Sequence, residues 1–132
     1  MKIDPYEPVT MAGISLNSRI FRSATHEGMA DACGVPTPAL KRLYLRLAKG
    51  GAGAIITGYA GIQQDGKSPL FAMTMMDGDD KISSFKQIVD AVHATGTSIL
   101  LQIAHCGRQT RSAITGRPTV APSPIKDKFY NE

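Results

Sequence analysis

With 132 residues, 42% of them hydrophobic, the chain has material for one buried core and is short for two, so a single unit over residues 1–132 is expected. Its 15 basic and 11 acidic residues leave a net charge of +4, but the Lys and Arg are scattered without interleaved aromatics, which argues against a nucleic-acid surface. No apolar run approaches the roughly 18 residues of a membrane helix, no apolar leader follows Met1, and Cys33 and Cys106 show no paired spacing, so a reduced, cytoplasmic protein is the expectation.

Residues 9–19 read as a short hairpin with Gly13, Asn17 and Ser18 as its turn residues, leading into a strand over residues 20–25. A loop from Glu27 to Pro36 follows. Thr37-Pro38 then starts a helix, with Thr as N-cap and Pro in the first turn; Leu40, Leu43, Tyr44 and Leu47 fall on one face, and Gly50-Gly51 ends it near residue 49. The apolar run Ala54-Ile55-Ile56-Thr57 begins a strand over residues 54–59, of the kind buried on both faces in parallel sheets. After a long loop to Asp77, Asp79 or Asp80 caps a second helix over residues 80–94. Ile82, Phe85, Ile88, Val89 and Val92 recur there at helical spacing, with Gly96 just past the end. A third strand covers residues 98–104. Beyond Gly107 the chain turns polar and irregular, and Pro118, Pro122 and Pro124 exclude another buried strand.

The order is hairpin, then strand, helix, strand, helix, strand. Such alternation predicts an α/β fold of adjacent parallel strands with right-handed crossovers, both helices packed on one side. Neither a Gly-x-Gly-x-x-Gly turn nor a Walker-type loop follows the first strand. Lys49-Gly50-Gly51-Ala52-Gly53 is glycine-rich but precedes strand two, where glycines end the helix and allow close packing. Arg108, Arg111, Arg117, Lys126 and Lys128 make the last quarter positive, which suits either a phosphorylated ligand or an ordinary solvated surface.

Ligands of parallel sheets and barrels lie at the carboxyl ends of strands. Those ends are Ser23-Ala24-Thr25-His26, Gly58-Tyr59-Ala60-Gly61 and the segment from Gln102 to Gly107. Gln102 is the most informative residue, because an amide buried in an apolar strand without partners costs on the order of 1–3 kcal/mol. It serves either a core hydrogen-bond network or a ligand with amide-like edges, such as a flavin pyrimidine ring. Strand alternation places Leu100, Gln102 and Ala104 on one face and Leu101 and Ile103 on the other. His26, His93 and His105, with the two thiols, show no metal-ligand spacing, so no metal is expected.

Asn17-Ser18-Arg19-Ile20, the run Arg22-Ser23-Ala24-Thr25-His26-Glu27-Gly28, and Gly51-Ala52-Gly53 with Ile56-Thr57-Gly58 come in a telling order. They are followed by Gln102-Ile103-Ala104-His105-Cys106-Gly107-Arg108 and Val120-Ala121-Pro122-Ser123. Together, over about residues 8–125, they resemble the opening of the old yellow enzyme family, NAD(P)H:flavin oxidoreductases that hold FMN in a (β/α)₈ barrel. The Gln-x-x-His-x-Gly-Arg segment is the most specific part. The resemblance implies that the backbone of Ser23, Ala24, Thr25 and His26 lines the flavin, that the Ala60 main chain reaches the isoalloxazine edge, and that Gln102 bonds the pyrimidine. His105 and Arg108 match motif positions and are read as fixing the end of strand three. The family often has Pro at the position of Ala24 and Thr or Cys at that of His26, the latter a position associated with tuning the flavin's redox behaviour. Relatives reading Arg-Ser-Ala-Thr mark a subgroup.

The implied activity is an FMN-dependent oxidoreductase in which NADH or NADPH reduces the flavin and a small electron-poor acceptor such as an enone takes the hydride. A whole barrel takes about 250 residues, so the expectation is the N-terminal part of one FMN-binding domain: a partial barrel with a hairpin and about three βα units. The resemblance would place the substrate-holding His or His/Asn pair, the tyrosine proton donor and the phosphate site beyond residue 132. No catalytic residue is therefore assigned, and the chain alone is expected to be inactive. The other reading is a non-catalytic barrel module that self-associates or complements another chain.

Overall fold

The computed structural model describes residues 3–131. Strands β1 (Val9–Met11) and β2 (Ile14–Leu16) pair antiparallel in the expected hairpin. Its turn is two residues, Ala12 and Gly13, at φ 50° and 79°, the left-handed geometry that suits the twist of a hairpin. Asn17 and Ser18 dock the hairpin onto the body: Asn17 Nδ2 donates to the Gly96 carbonyl at 2.9 Å and Ser18 Oγ to that of Gly51 at 2.7 Å.

Three strands, β3 (Phe21–Arg22), β4 (Ala54–Ile56) and β6 (Ser98–Leu100), form a parallel sheet in the order β3-β4-β6; β5 (Ala60–Gly61) and β7 (Ile103–Ala104) form a second parallel pair beyond their ends. Each expected strand is thus shorter or interrupted, for identifiable reasons. The Arg22 guanidinium takes the Ile56 carbonyl at 2.9 Å, where a longer first strand would place a backbone amide, and residues 23–25 leave the ladder. Thr57 Oγ1 accepts the Gln102 amide at 3.0 Å and the Gly58 amide turns to Glu27, so the second and third strands break together before resuming as β5 and β7.

Helix α1 (Pro38–Lys49) has the expected bounds. The expected Thr37 cap is not made: its hydroxyl donates to the Met29 carbonyl at 2.7 Å, tying the preceding loop to the helix start. Helix α2 (Ile82–His93) begins with a 3-10 turn, Asp79–Lys81, so Asp79 and Asp80 lie within that turn and neither carboxylate caps the helix. Both helices cover one face of the sheet. Leu40, Tyr44, Ala48, Ala52, Ile55, Ile88 and Val92 form the core, with Leu47 and Ile99 packed against it. The loop after β5 is partly ordered by a 3-10 turn, Gln64–Gly66, and by buried Met73 and Met75. A short helix, α3 (Ser112–Thr115), stands in the segment expected to be irregular and ends on Gly116 at φ 70°. No strand forms over residues 118–124.

The result is the opening of a (β/α) barrel with its sheet unclosed. Leu100, Leu101 and Ile103 are exposed at its far edge.

Candidate functional site

All parallel strands deliver their carboxyl ends to one side, and the polar residues there are organised by Arg22 and Glu27. Glu27 Oε1 lies 2.8 Å from Arg22 Nη1. The same oxygen accepts from the Tyr44 hydroxyl at 2.7 Å and from the Gly58 amide at 3.1 Å. Arg22 Nη2 donates to the Thr25 carbonyl at 3.3 Å. Burial, then the Glu27 hydrogen bond, pushes the Tyr44 phenol well above its ordinary value. Sequence reading missed this cluster; the signal was a charged pair, Arg22 and Glu27, flanking a strand tip opposite a tyrosine on the buried helix face.

Above it, the His26 ring stacks on Tyr59 at 5.2 Å, and His26 Nε2 lies 2.9 Å from the Phe71 carbonyl. Tyr59 shares a hydrogen bond with Ser68 at 3.0 Å. Tyr59, Ser68, Gln102, Cys106, Gln109 and Tyr130 are among the residues lining a cleft of about 460 Å³. Burial raises the Cys106 thiol above its ordinary value, which keeps it protonated at neutral pH.

Gln102 lies on the cleft side and its side chain is exposed, with no hydrogen-bond partner among the described residues. A core hydrogen-bond network is therefore not its role in this chain. Leu101 lines the apolar space under the helices with Ile99, as alternation requires. Ile103 does not follow: expected on the opposite face, it lines the Gln102 cleft, because the chain breaks at residues 101 and 102 before β7. Ala60 is fully buried and its amide donates to the Gln102 carbonyl at 2.8 Å, so these two are directly joined. His26 reaches the cleft edge through Tyr59. Ser23 and Thr25 are exposed at the first tip and Ala24 is half-buried, but none of the three lines the cleft.

His105 and Arg108 hold the segments after β7. Nδ1 of His105 accepts the Gly107 amide at 3.0 Å, and its Nε2 lies 3.4 Å from Asp65 Oδ1, a buried oxygen without a hydrogen bond among the described residues. Arg108 donates to the Ile125 carbonyl at 2.9 Å and Arg111 sits over the Tyr130 ring, so two of the late basic residues have intramolecular partners. Among the described residues there is no cluster able to hold a metal, and no helix is long and apolar enough to cross a membrane.

Parallel strands meeting at a cleft, with helices on the outer face and a hairpin before the first strand, define the N-terminal portion of a β/α-barrel protein. A profile of the NADH:flavin oxidoreductase / NADH oxidase family matches residues 4–131, and the chain belongs to that family. It is 37% identical over 127 residues to a metal reductase of Desulforamulus reducens, covering 96% of this chain and 19% of that protein. It is 30% identical to an NADH oxidase of Thermoanaerobacter brockii, covering 90% of this chain and 18% of the relative. Among solved structures, the old yellow enzyme homologue from Zymomonas mobilis superposes with a TM-score of 0.83 at 28% identity, over 92% of this chain and 33% of that one. Morphinone reductase in complex with tetrahydroNAD gives 0.84 at 25% identity, over 97% of this chain and 35% of that one. The chain thus spans about a fifth of these curated relatives and a third of these structures.

Proposed function

We propose that this chain supplies the ring-facing floor of an FMN-dependent oxidoreductase that uses NADH or NADPH to reduce an electron-poor acceptor such as an enone. The observation that carries the reading is Gln102: a carboxamide without a partner among the described residues, at the carboxyl ends of parallel strands, in a cleft large enough to admit part of a ring system. Both its carbonyl and its NH₂ are left for a ligand edge that offers the complementary pair, and the flavin pyrimidine is such an edge. The residues therefore fit the group. Ser23, Ala24, Thr25 and His26 would line the ring with their backbone. The Ala60 main chain would stand at its edge, where its amide and carbonyl both take part in the β5–β7 ladder. When bound, FMN supplies the hydride chemistry, and the chain supplies placement. The NADH oxidase relative and the nicotinamide analogue bound by morphinone reductase support a nicotinamide reductant. Cys33 and Cys106 are free thiols, which suits a reducing, cytoplasmic setting.

The chain alone, as part of a single FMN domain, neither grips FMN tightly nor turns over. A few hydrogen bonds of about 0.5–1.5 kcal/mol each stand against an association cost of roughly 4–15 kcal/mol. Flavin-fluorescence titration should give a Kd above about 1 μM, and NAD(P)H oxidation with an enone should not exceed that of free flavin. Submicromolar affinity, or turnover well above free flavin, refutes this part. The second reading, a non-catalytic module that self-associates or complements another chain, is favoured by exposed Leu100, Leu101 and Ile103 along the unclosed sheet. Monodisperse monomer at high concentration by light scattering would count against its self-associating form.

A further inference from the structure

We propose that Glu27 is a positioning residue that fixes the first two strand tips against each other, and with them the His26–Tyr59 ring pair at the cleft edge. Its relevance to FMN rests on the flavin reading above. One buried carboxylate oxygen collects three donors from three places in the chain: the Arg22 guanidinium at the end of β3, the Tyr44 hydroxyl on α1 and the Gly58 amide between β4 and β5. The Glu27 side chain is 7% exposed. Packing alone would be served by an apolar residue there, since a buried charge costs free energy unless fully partnered.

The guanidinium does the complementary work, donating to the carbonyls of Ile56 and Thr25. Together the pair engages one amide and two carbonyls that the broken sheet ladder leaves over. The two backbone anchors adjoin the ring pair: Glu27 follows His26 directly and Gly58 precedes Tyr59 directly, and the rings stack at an interplanar angle of 26°. Gly58 has no room for a side chain, because a Cβ there would overlap the Glu27 carboxylate and the Thr25 carbonyl.

The test uses the full chain with Glu27→Gln and Tyr44→Phe, read by amide hydrogen exchange at Gly58 and by the NMR shifts of the His26 ring, assigned with His26→Asn. Glu27→Gln should raise Gly58 exchange by about tenfold relative to core amides such as Val92, and should move the His26 ring protons out of the Tyr59 ring current. Tyr44→Phe, which keeps the ion pair and covers the case that Glu27→Gln does not fold, should do the same to a smaller extent. Unchanged Gly58 exchange and His26 shifts in the folded variants would overturn the proposal, and so would faster exchange spread evenly over all amides. FMN added to the unsubstituted chain separates the two ideas. If it perturbs no strand-tip resonance while the variant effects hold, the flavin reading fails and the positioning role stands.

Discussion

Replacing Gly58 by alanine should cost far more than its single methyl suggests. The added Cβ would overlap the Glu27 carboxylate and the Thr25 carbonyl, and neither can retreat freely. The carboxylate is held by Arg22, Tyr44 and the Gly58 amide itself, and the carbonyl by Arg22. Accommodating the methyl sacrifices at least one hydrogen bond at each of the two groups, both made with a charged partner and worth about 1.5–3 kcal/mol apiece. Against this, alanine gains about 0.4–1 kcal/mol by restricting the unfolded chain. The net loss is about 2–5.5 kcal/mol. At roughly 3–5 °C per kcal/mol for a domain of this size, Tm should fall by roughly 6–28 °C. Gly13→Ala is the control, since that position, at φ 79°, has open space around it and costs only the left-handed penalty of about 1–2 kcal/mol. Thermal unfolding followed by far-UV circular dichroism measures both. A Gly58→Ala chain as stable as the parent would show that the Arg22–Glu27 cluster is loose enough to move aside, and the rigidity inferred for the strand tips would be wrong.

Leu40, 1% exposed between α1 and the sheet, should cost about 2–5 kcal/mol when cut to alanine, measured by urea unfolding. Gln102→Ala should leave stability within about 0.5 kcal/mol, because the side chain is exposed and unpartnered, while weakening any FMN binding; a large fall in Tm would restore a structural role for the amide. The Tyr44 phenol is raised in the folded state by burial, so its contribution is fully present below the ordinary value of about 10 and is lost as pH rises from there through the folded-state value. Stability of the parent should therefore fall above pH about 10 more steeply than that of Tyr44→Phe. Asp127 titrates the other way: the Tyr130 amide, then that of Phe129, lowers its value, so the turn at residues 127–130 should loosen as pH falls through the acid range. Amide exchange at Tyr130 in Asp127→Asn, showing the same loosening at neutral pH, would check this.

Hydrophobic spacing was enough to read both helices, since Leu40, Tyr44, Ile88 and Val92 lie buried on the faces their periodicity assigns. Strand order and direction followed from the alternation of elements. Strand length was not legible, because β3, β4 and β6 end where side chains take over the ladder: Arg22 at the Ile56 carbonyl and Thr57 at the Gln102 amide. Those are long-range substitutions that no local pattern announces. For the same reason Ser23, Ala24, Thr25, His26, Ala60 and Gln102 could be placed at one end of the sheet, but their spacing there could not. Tyr59, between His26 and the Gln102 cleft, and Glu27 beneath it, join the site only through contacts made by folding.

Whether these strand tips form a surface for a flavin ring is read most directly by titrating the ¹⁵N-labelled chain with FMN, which reports contact even where binding is weak. Fast-exchange shifts should concentrate in the amides of Ser23, Ala24, Thr25, His26 and Ala60 and in the Gln102 side-chain NH₂, with the helix face of Leu43 and Lys86 unmoved. Shifts absent at saturating FMN, or gathered on the 118–126 segment instead, would contradict the flavin reading.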